Sequence, residues 1–190
     1  MEPLDARKSN SRGGGPSFSL GNRLGRVVWM ACWFALARWT PPALHGWRAL
    51  LLRLFGADLG SGCRVHGSAS IWHPANLALG DNVLIGPGAR IYNQGQITIG
   101  KDSIVSQRAH LCASTHDISD QHFQLILRPI TIGKGCWIAA EAFVGPGVVM
   151  GDHAILAARG ALFDDAEPNQ VYRGNPAQMI KARALPADAG

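Results

Sequence analysis

Aliphatic side chains recur at every sixth position along most of the chain: Leu59, Val65 and Ile71, then Leu79, Ile85 and Ile91, then Ile99, Val105 and Leu111. Each trio restarts 20 residues after the one before it. After an interruption the same step resumes at Ile132, Ile138, Val144, Met150, Leu156 and Leu162. The fourth residue after each of these is small, as at Cys63, Ala69, Ala75, Val83, Ala89, Gly95, Ser103, Ala109, Thr115, Cys136, Ala142, Val148, Ala154, Gly160 and Ala166. A step of six fits neither a helix, with its 3.6-residue period, nor a hairpin sheet built on simple alternation. It predicts an all-β fold, a three-sided parallel solenoid in which each hexad forms one flat side. The aliphatic residue fills the interior and the small one sits where the wall turns. Three hexads close a coil, so residues 58–167 predict about five coils, roughly 24 Å tall at ~4.8 Å per strand spacing. The pairs Leu77-Ala78 and Ile97-Thr98 account for the steps of 20 by lengthening one side. Glycine often follows the aliphatic residue, as at Gly80 and Gly100, where unusual backbone torsions are expected.

Ile99 and Ile132 occupy corresponding positions 33 residues apart, 13 more than the preceding interval of 20. A loop over residues 117–129 is therefore predicted to leave the coil, and loops carried by rigid scaffolds are favoured places for function. His116 stands at its base. Histidine titrates near neutrality and suits the removal of a hydroxyl proton. Asp117 follows it, but adjacent side chains in extended chain point apart, so Asp117 is poorly placed to orient the ring.

Residues 1–20 are rich in Gly, Ser and Arg and are expected to be a disordered basic tail. Residues 21–57 predict a helical N-terminal cap, two helices over 24–38 and 43–55 divided by Thr40-Pro41-Pro42. An open solenoid end needs such a cover. Over 168–190, Gly174-Asn175-Pro176 predicts a turn before a short C-terminal helix at 177–184. The formal charge of +5 is uneven, since residues 1–58 hold eight Arg/Lys against three Asp/Glu and residues 59–190 hold ten against ten. Basicity confined to the cap suits an anionic membrane surface or acidic partner, and argues against a nucleic-acid groove on the folded body. The longest apolar run, 27–39, has 13 residues, short of the ~20 a bilayer crossing needs. The four cysteines show no Cys-x-x-Cys spacing, and no cleavable signal is evident near Met1. The expected location is the cytoplasm, at the inner face of the membrane.

Longer stretches carry a resemblance that the repeat alone does not. They are Trp47-Arg48-Ala49-Leu50-Leu51-Leu52-Arg53-Leu54-Phe55-Gly56, Ile91-Tyr92-Asn93, Ile97-Thr98-Ile99-Gly100, Leu111-Cys112-Ala113-Ser114-Thr115-His116-Asp117 and Gly174-Asn175-Pro176-Ala177. In these the sequence, from about residue 24 to 183, resembles the hexapeptide-repeat acyltransferases, close to the group devoted to colanic acid biosynthesis acetylation. The resemblance implies a left-handed β-helix, a homotrimer with active sites between subunits, and acetyl transfer from acetyl-CoA to a hydroxyl of a sugar or exopolysaccharide precursor, without metal. It implies that His116 is the general base and that Trp137 lines the donor or acceptor pocket. Ala140 and Ala158 match positions whose backbone meets the coenzyme A arm, and Lys181 or Arg183 would reach its phosphates. Tyr92 and Asn93, one coil before His116, are the expected acceptor contacts, with Asp117 beside them. The chain departs from many relatives at Phe163-Asp164, where they carry Thr-Lys. That exchange sets a repelling charge where a phosphate contact is usual.

Two other readings compete. His110, His116 and His122 are spaced by six, which puts successive residues on different sides, so zinc ligation as in a γ-type carbonic anhydrase would need loop rearrangement. A non-catalytic scaffold is the second, supported by Phe163-Asp164. Cys112, four residues from His116, admits a Cys-His nucleophile reading, whereas Cys63 and Cys136 fall on the small inward positions and read as core. His66, His73, His110 and His153 fall at wall positions, and His122 lies in the loop.

Overall fold

The computed structural model describes residues 2–10 and 13–184 and shows a three-walled prism of short parallel strands, matching a left-handed β-helix. The first wall stacks β1 (Asp58–Leu59), β4 (Leu77–Leu79), β7 (Ile97–Ile99), β12 (Ile130–Ile132) and β15 (Val149–Met150). The second stacks β2 (Arg64–Val65), β5 (Leu84–Ile85), β8 (Ile104–Val105), β13 (Trp137–Ile138), β16 (Ile155–Leu156) and β18 (Gln170–Gly174), with β19 (Ala177–Ala182) folded back on the last. The third stacks β3 (Ser70–Ile71), β6 (Arg90–Tyr92), β9 (His110–Cys112), β14 (Phe143–Val144) and β17 (Ala161–Leu162). Between the third wall and the first, β10 (Ser114–His116) and β11 (Leu125–Leu127) form an antiparallel hairpin, the predicted excursion.

All fifteen hexad aliphatics are buried, and they stand in register up each wall, as in Val65, Ile85, Val105, Ile138 and Leu156. Tyr172 continues that column, so a sixth coil is begun on one side. The small-residue rule fails at two corners: Ala75 is exposed and Thr115 only half-buried, because the chain leaves the coil there through the 3-10 turn Pro74–Asn76 and the hairpin. Leu77, Ile97 and Ile130 fill the vacated interior instead. The expected torsions also fall elsewhere. Gly80 and Gly100 do not have positive φ; a Cβ on Gly80 would lie 2.5 Å from the Lys101 amide nitrogen, so coil-to-coil approach demands the glycine. Left-handed torsions occur further round the corners, at Asn82, Asp102 and Gly135 among others.

On the walls, outward-facing residues donate to the coil above, while corner residues such as Asn82 and Asp102 donate back to Ser61 O and Asp81 O of the coil beneath. Arg64 N donates to Val83 O, Leu84 N to Ser103 O, Ile104 N to Cys136 O, and Trp137 N to Ala154 O. Ile85 O and Ile91 O accept from His66 N and Trp72 N of the coil beneath, but the equivalent carbonyls of the first coil, Val65 O and Ile71 O, have no coil beneath them, and buried carbonyls without donors are costly. Helices α2 (Leu20–Leu36) and α3 (His45–Leu54) supply the donors. Trp29 Nε1 donates to Ile71 O (2.7 Å), Trp33 Nε1 to Gly67 O and Ala69 O, and Arg53 Nη2 to Leu59 O and Gly60 O. Arg48 is fully buried, donating to Val65 O (2.6 Å), Thr40 Oγ1, Pro41 O and Pro42 O.

Two terminal expectations change. The described part of residues 1–20 is folded: α1 (Ala6–Ser9) is capped by Asp5, Ala6 and Phe18 are buried, and Gln124 of the hairpin accepts from Ala6 N and donates to Leu4 O. Polar composition concealed those apolar anchors; Met1, Ser11 and Arg12 lie outside the described residues. The segment expected to form a helix after Pro176 is instead strand β19, pairing antiparallel with β18 through Ala182. The open edge of the last coil rewards pairing more than local propensity rewards a helix. Residues 185–190 of the C-terminal segment lie outside the described residues.

Replacing Arg48 by Met is expected to lower the free energy of unfolding by about 3 kcal/mol, since it strips a charged donor from the buried Val65 carbonyl and frees the Pro41 and Pro42 carbonyls that the same guanidinium ties to the cap. A denaturant titration of the variant measures it, with the exposed Leu54→Ser as a control expected to change little.

Candidate active site

The hairpin sets His116 in an exposed position opposite Leu125, with Asp117 N donating to Gln124 O at 2.9 Å. His116 Nδ1 lies 2.7 Å from Phe123 O. A carbonyl oxygen only accepts, so Nδ1 carries the hydrogen and Nε2 keeps its lone pair in the neutral ring. Among the described residues Nε2 has no hydrogen-bond partner, leaving it available to an incoming hydroxyl. The Phe123 carbonyl was not legible in the sequence, because the backbone group that meets the ring is chosen by hairpin geometry.

Asp117 takes no part in orienting the imidazole. Its carboxylate accepts from Ser119 Oγ (2.5 Å) and Ser119 N (2.9 Å), and those bonds hold its pKa below the usual carboxylate range. It shapes the loop. Asn93 is likewise removed from the surface: it is fully buried, accepting from Trp72 N and His73 N and donating to His73 O at 2.6 Å. Its polar atoms stitch one coil to the next, so the expected acceptor contact is a core residue.

Tyr92 is partly exposed and lines a polar cavity of about 240 Å³ with Ser17, Arg23, Arg26, Trp72 and Gln94. The Arg26 guanidinium stacks 4.2 Å over the Trp72 ring. Gln94 donates to the Tyr92 hydroxyl (2.8 Å), while its buried Oε1 has no partner. Sequence reasoning missed Arg26 and Gln94, since only the folded cap brings residues 68 positions apart together.

A second groove, of about 430 Å³, runs along the corner between the second and third walls. Trp137, Ala140, Ala158 and Lys181, four residues expected at the donor, line it with Ser106 and Val171. Trp137 is 45 % exposed and its Nε1 donates to Ser106 Oγ at 2.8 Å. Lys181 reaches the groove because β19 pairs it with Val171, a placement the expected helix would not produce. Arg183 does not join them: its Nη1 donates to Gly135 O and His153 O, clamping a corner. At the departure from the relatives' pattern, Phe163 packs against Phe143 with centroids 5.6 Å apart and Asp164 is exposed.

His116 is not among the residues that line this groove. The groove follows the second wall, whereas His116 lies beyond the third, so Trp137 and His116 do not flank one cleft within a single chain. The remaining titratable groups are structural. Burial pushes the imidazoles of His73 and His110 below their ordinary range, and His110 packs edge-on against Phe143 and Tyr92. Cys63 and Cys136 are buried with raised thiol pKa values, and the Cys112 thiol is turned to Ser114 O. Among the described residues no three His, Cys, Asp or Glu side chains are grouped to hold a metal ion.

No protein-family model matches the chain. It is 42 % identical to WcaF of Escherichia coli (strain K12), described as a colanic acid biosynthesis acetyltransferase, over 87 % of this chain and 91 % of that protein. Its fold is similar to that of a galactoside acetyltransferase in complex with coenzyme A, with a TM-score of 0.80 at 21 % identity over 94 % of this chain and 91 % of that one. It is also similar to the hexapeptide-repeat acetyltransferase VCA0836 from Vibrio cholerae O1 complexed with acetyl-CoA, with a TM-score of 0.79 at 20 % identity over 88 % and 91 % of the two chains. The stacked hexads and the long match to WcaF establish that the chain belongs to the family of hexapeptide-repeat, acetyl-CoA-dependent acetyltransferases.

Proposed function

We propose that the protein transfers acetyl from acetyl-CoA to a hydroxyl of a sugar or exopolysaccharide precursor, with His116 as the general base. The observation that carries this reading is the 2.7 Å contact of His116 Nδ1 with Phe123 O, which selects the tautomer a base needs. The acceptor hydroxyl oxygen attacks the thioester carbonyl carbon while its proton passes to Nε2. The tetrahedral oxyanion then collapses, the C–S bond breaks, and the imidazolium returns the proton to the departing thiolate. During that interval the Phe123 carbonyl, facing Nδ1–H, stabilises the positive ring.

The apolar groove along Trp137, Ala140 and Ala158 suits the pantetheine arm of the donor, and Lys181 at its rim suits a phosphate. Lys181 thereby takes the part that Asp164 cannot. The cavity at Tyr92, Gln94 and Arg26 suits a hydroxyl-rich acceptor, offering an aromatic edge, an unpaired acceptor and guanidinium donors. Because His116 and the groove occupy different edges of the prism, the reading includes a homotrimer in which one copy's base serves its neighbour's donor groove. The name of the WcaF relative supports an exopolysaccharide precursor as acceptor.

The test is a panel of glycan precursors assayed with acetyl-CoA by release of free thiol. His116→Ala is expected to lower kcat by about 10²- to 10⁴-fold on every active acceptor. Equal rates in the two proteins would remove His116 from the chemistry. Lys181→Met is expected to raise the KM for acetyl-CoA about tenfold with kcat little changed, since it removes a contact made equally before and during transfer. The same kinetics measure it.

A further inference from the structure

Helix α2 of the cap is amphipathic in the reverse of the usual sense, whereas α3 buries Ala49, Leu51 and Leu52 against the prism. Along α2 the inward stripe carries Asn22, Arg26, Trp29 and Trp33, whose polar atoms bond the prism and one another, while the outward positions are apolar. Leu20 (65 % exposed), Leu24, Val27 and Phe34 (58 %) face away from the body, and Trp39 (71 %) and Leu54 (71 %) extend the apolar surface beyond α2. Capping the first coil explains the inward donors. It places no demand on the outward side, where polar residues would cost nothing, so a surface of this extent marks an interaction site.

We propose that this outer face of the cap docks flat on an anionic lipid bilayer. Charge selects the occupant. Between Asp5 and Asp58 the sequence contains no carboxylate, and of its eight cations Arg26, Arg48 and Arg53 turn to the prism while Arg23 and Arg38 stay exposed beside the apolar face. Arg23 and Arg38, both exposed, stand near the two ends of the apolar stripe on α2. A self-contact of this face between two copies would bring arginines together with no acid to pair them, whereas lipid phosphates satisfy them. Length and composition select the mode of binding. No helix of the described residues is long and apolar enough to cross a membrane, and α2, 17 residues and about 25 Å long, suits the interface plane. Exposed tryptophan is suited to that boundary, with an apolar ring for the acyl side and an N–H for the wet side. The proposal is independent of the reaction the site performs.

Flotation of the full-length protein with vesicles tests it, comparing equal parts of phosphatidylglycerol and phosphatidylcholine with phosphatidylcholine alone. The wild type is expected to float with the anionic vesicles and about tenfold less with the neutral ones. The double variant Val27→Ser/Phe34→Ser is expected to bind anionic vesicles at least about tenfold more weakly. Its melting temperature and transfer to a soluble acceptor should be unchanged, because both side chains are exposed. Arg23→Gln/Arg38→Gln is expected to weaken binding and flatten its dependence on salt. Failure of the wild type to float, equal flotation with both vesicle types, or a change of oligomer size in light scattering for Val27→Ser/Phe34→Ser with no loss of flotation would each overturn the proposal.

Discussion

The hydrogen-bond ladder between coils is the constraint on which the rest of this molecule depends. Each wall residue that faces outward donates its amide to the coil above, so the chain climbs with a fixed direction and every added coil repeats the register of the last. A ladder of this kind has two unlike ends. The first coil presents carbonyls that need donors, which is why Trp29, Trp33, Arg48 and Arg53 turn polar atoms inward from the cap beside the buried Leu51 and Leu52. The last coil presents a strand edge, met by the β18–β19 hairpin. The reversed polarity of α2 and the unexpected C-terminal strand are thus two consequences of a ladder left unpaired at each end.

Sequence revealed most where a residue's position in the repeat alone decides its environment. The hexad aliphatics, the coil length and the presence of an excursion all follow from counting, because a solenoid interior repeats as strictly as its register, although the hairpin already begins at Ser114 and takes His116 into its first strand. Legibility fails where long-range contact decides. Asn93 looks like an exposed polar neighbour of Tyr92, yet the widened side of its coil turns it inward to bind the backbone around His73. Glycines such as Gly80 mark close approach between coils, which sequence alone does not distinguish from a torsional need. Lys181 and Arg183, two positions apart and alike in charge, part company because only Lys181 pairs across the hairpin into the groove. The Phe123 carbonyl that meets His116 carries no side-chain signature at all.

Rigid walls also divide the chemistry. His116 after the third wall and the apolar groove after the second cannot approach each other by bending, since the third wall between them is part of the packed prism. In the proposed trimer a second copy brings its groove to the first copy's imidazole, an arrangement this division favours. The same geometry places the cap and its apolar outer face at one end of the prism, away from the mouth of the donor groove.

Mixing two individually inactive chains tests the shared-site account most directly. One is His116→Ala, lacking the base, and the other is Ala158→Trp, its groove filled. Co-refolded in equal amounts, they form some contacts that unite an intact base with an intact groove. If the sites lie between copies, thiol release should return to about a quarter of the wild-type rate, the chance that both halves of a site are intact. Mixed oligomers that assemble yet remain as inactive as either parent would contradict the account.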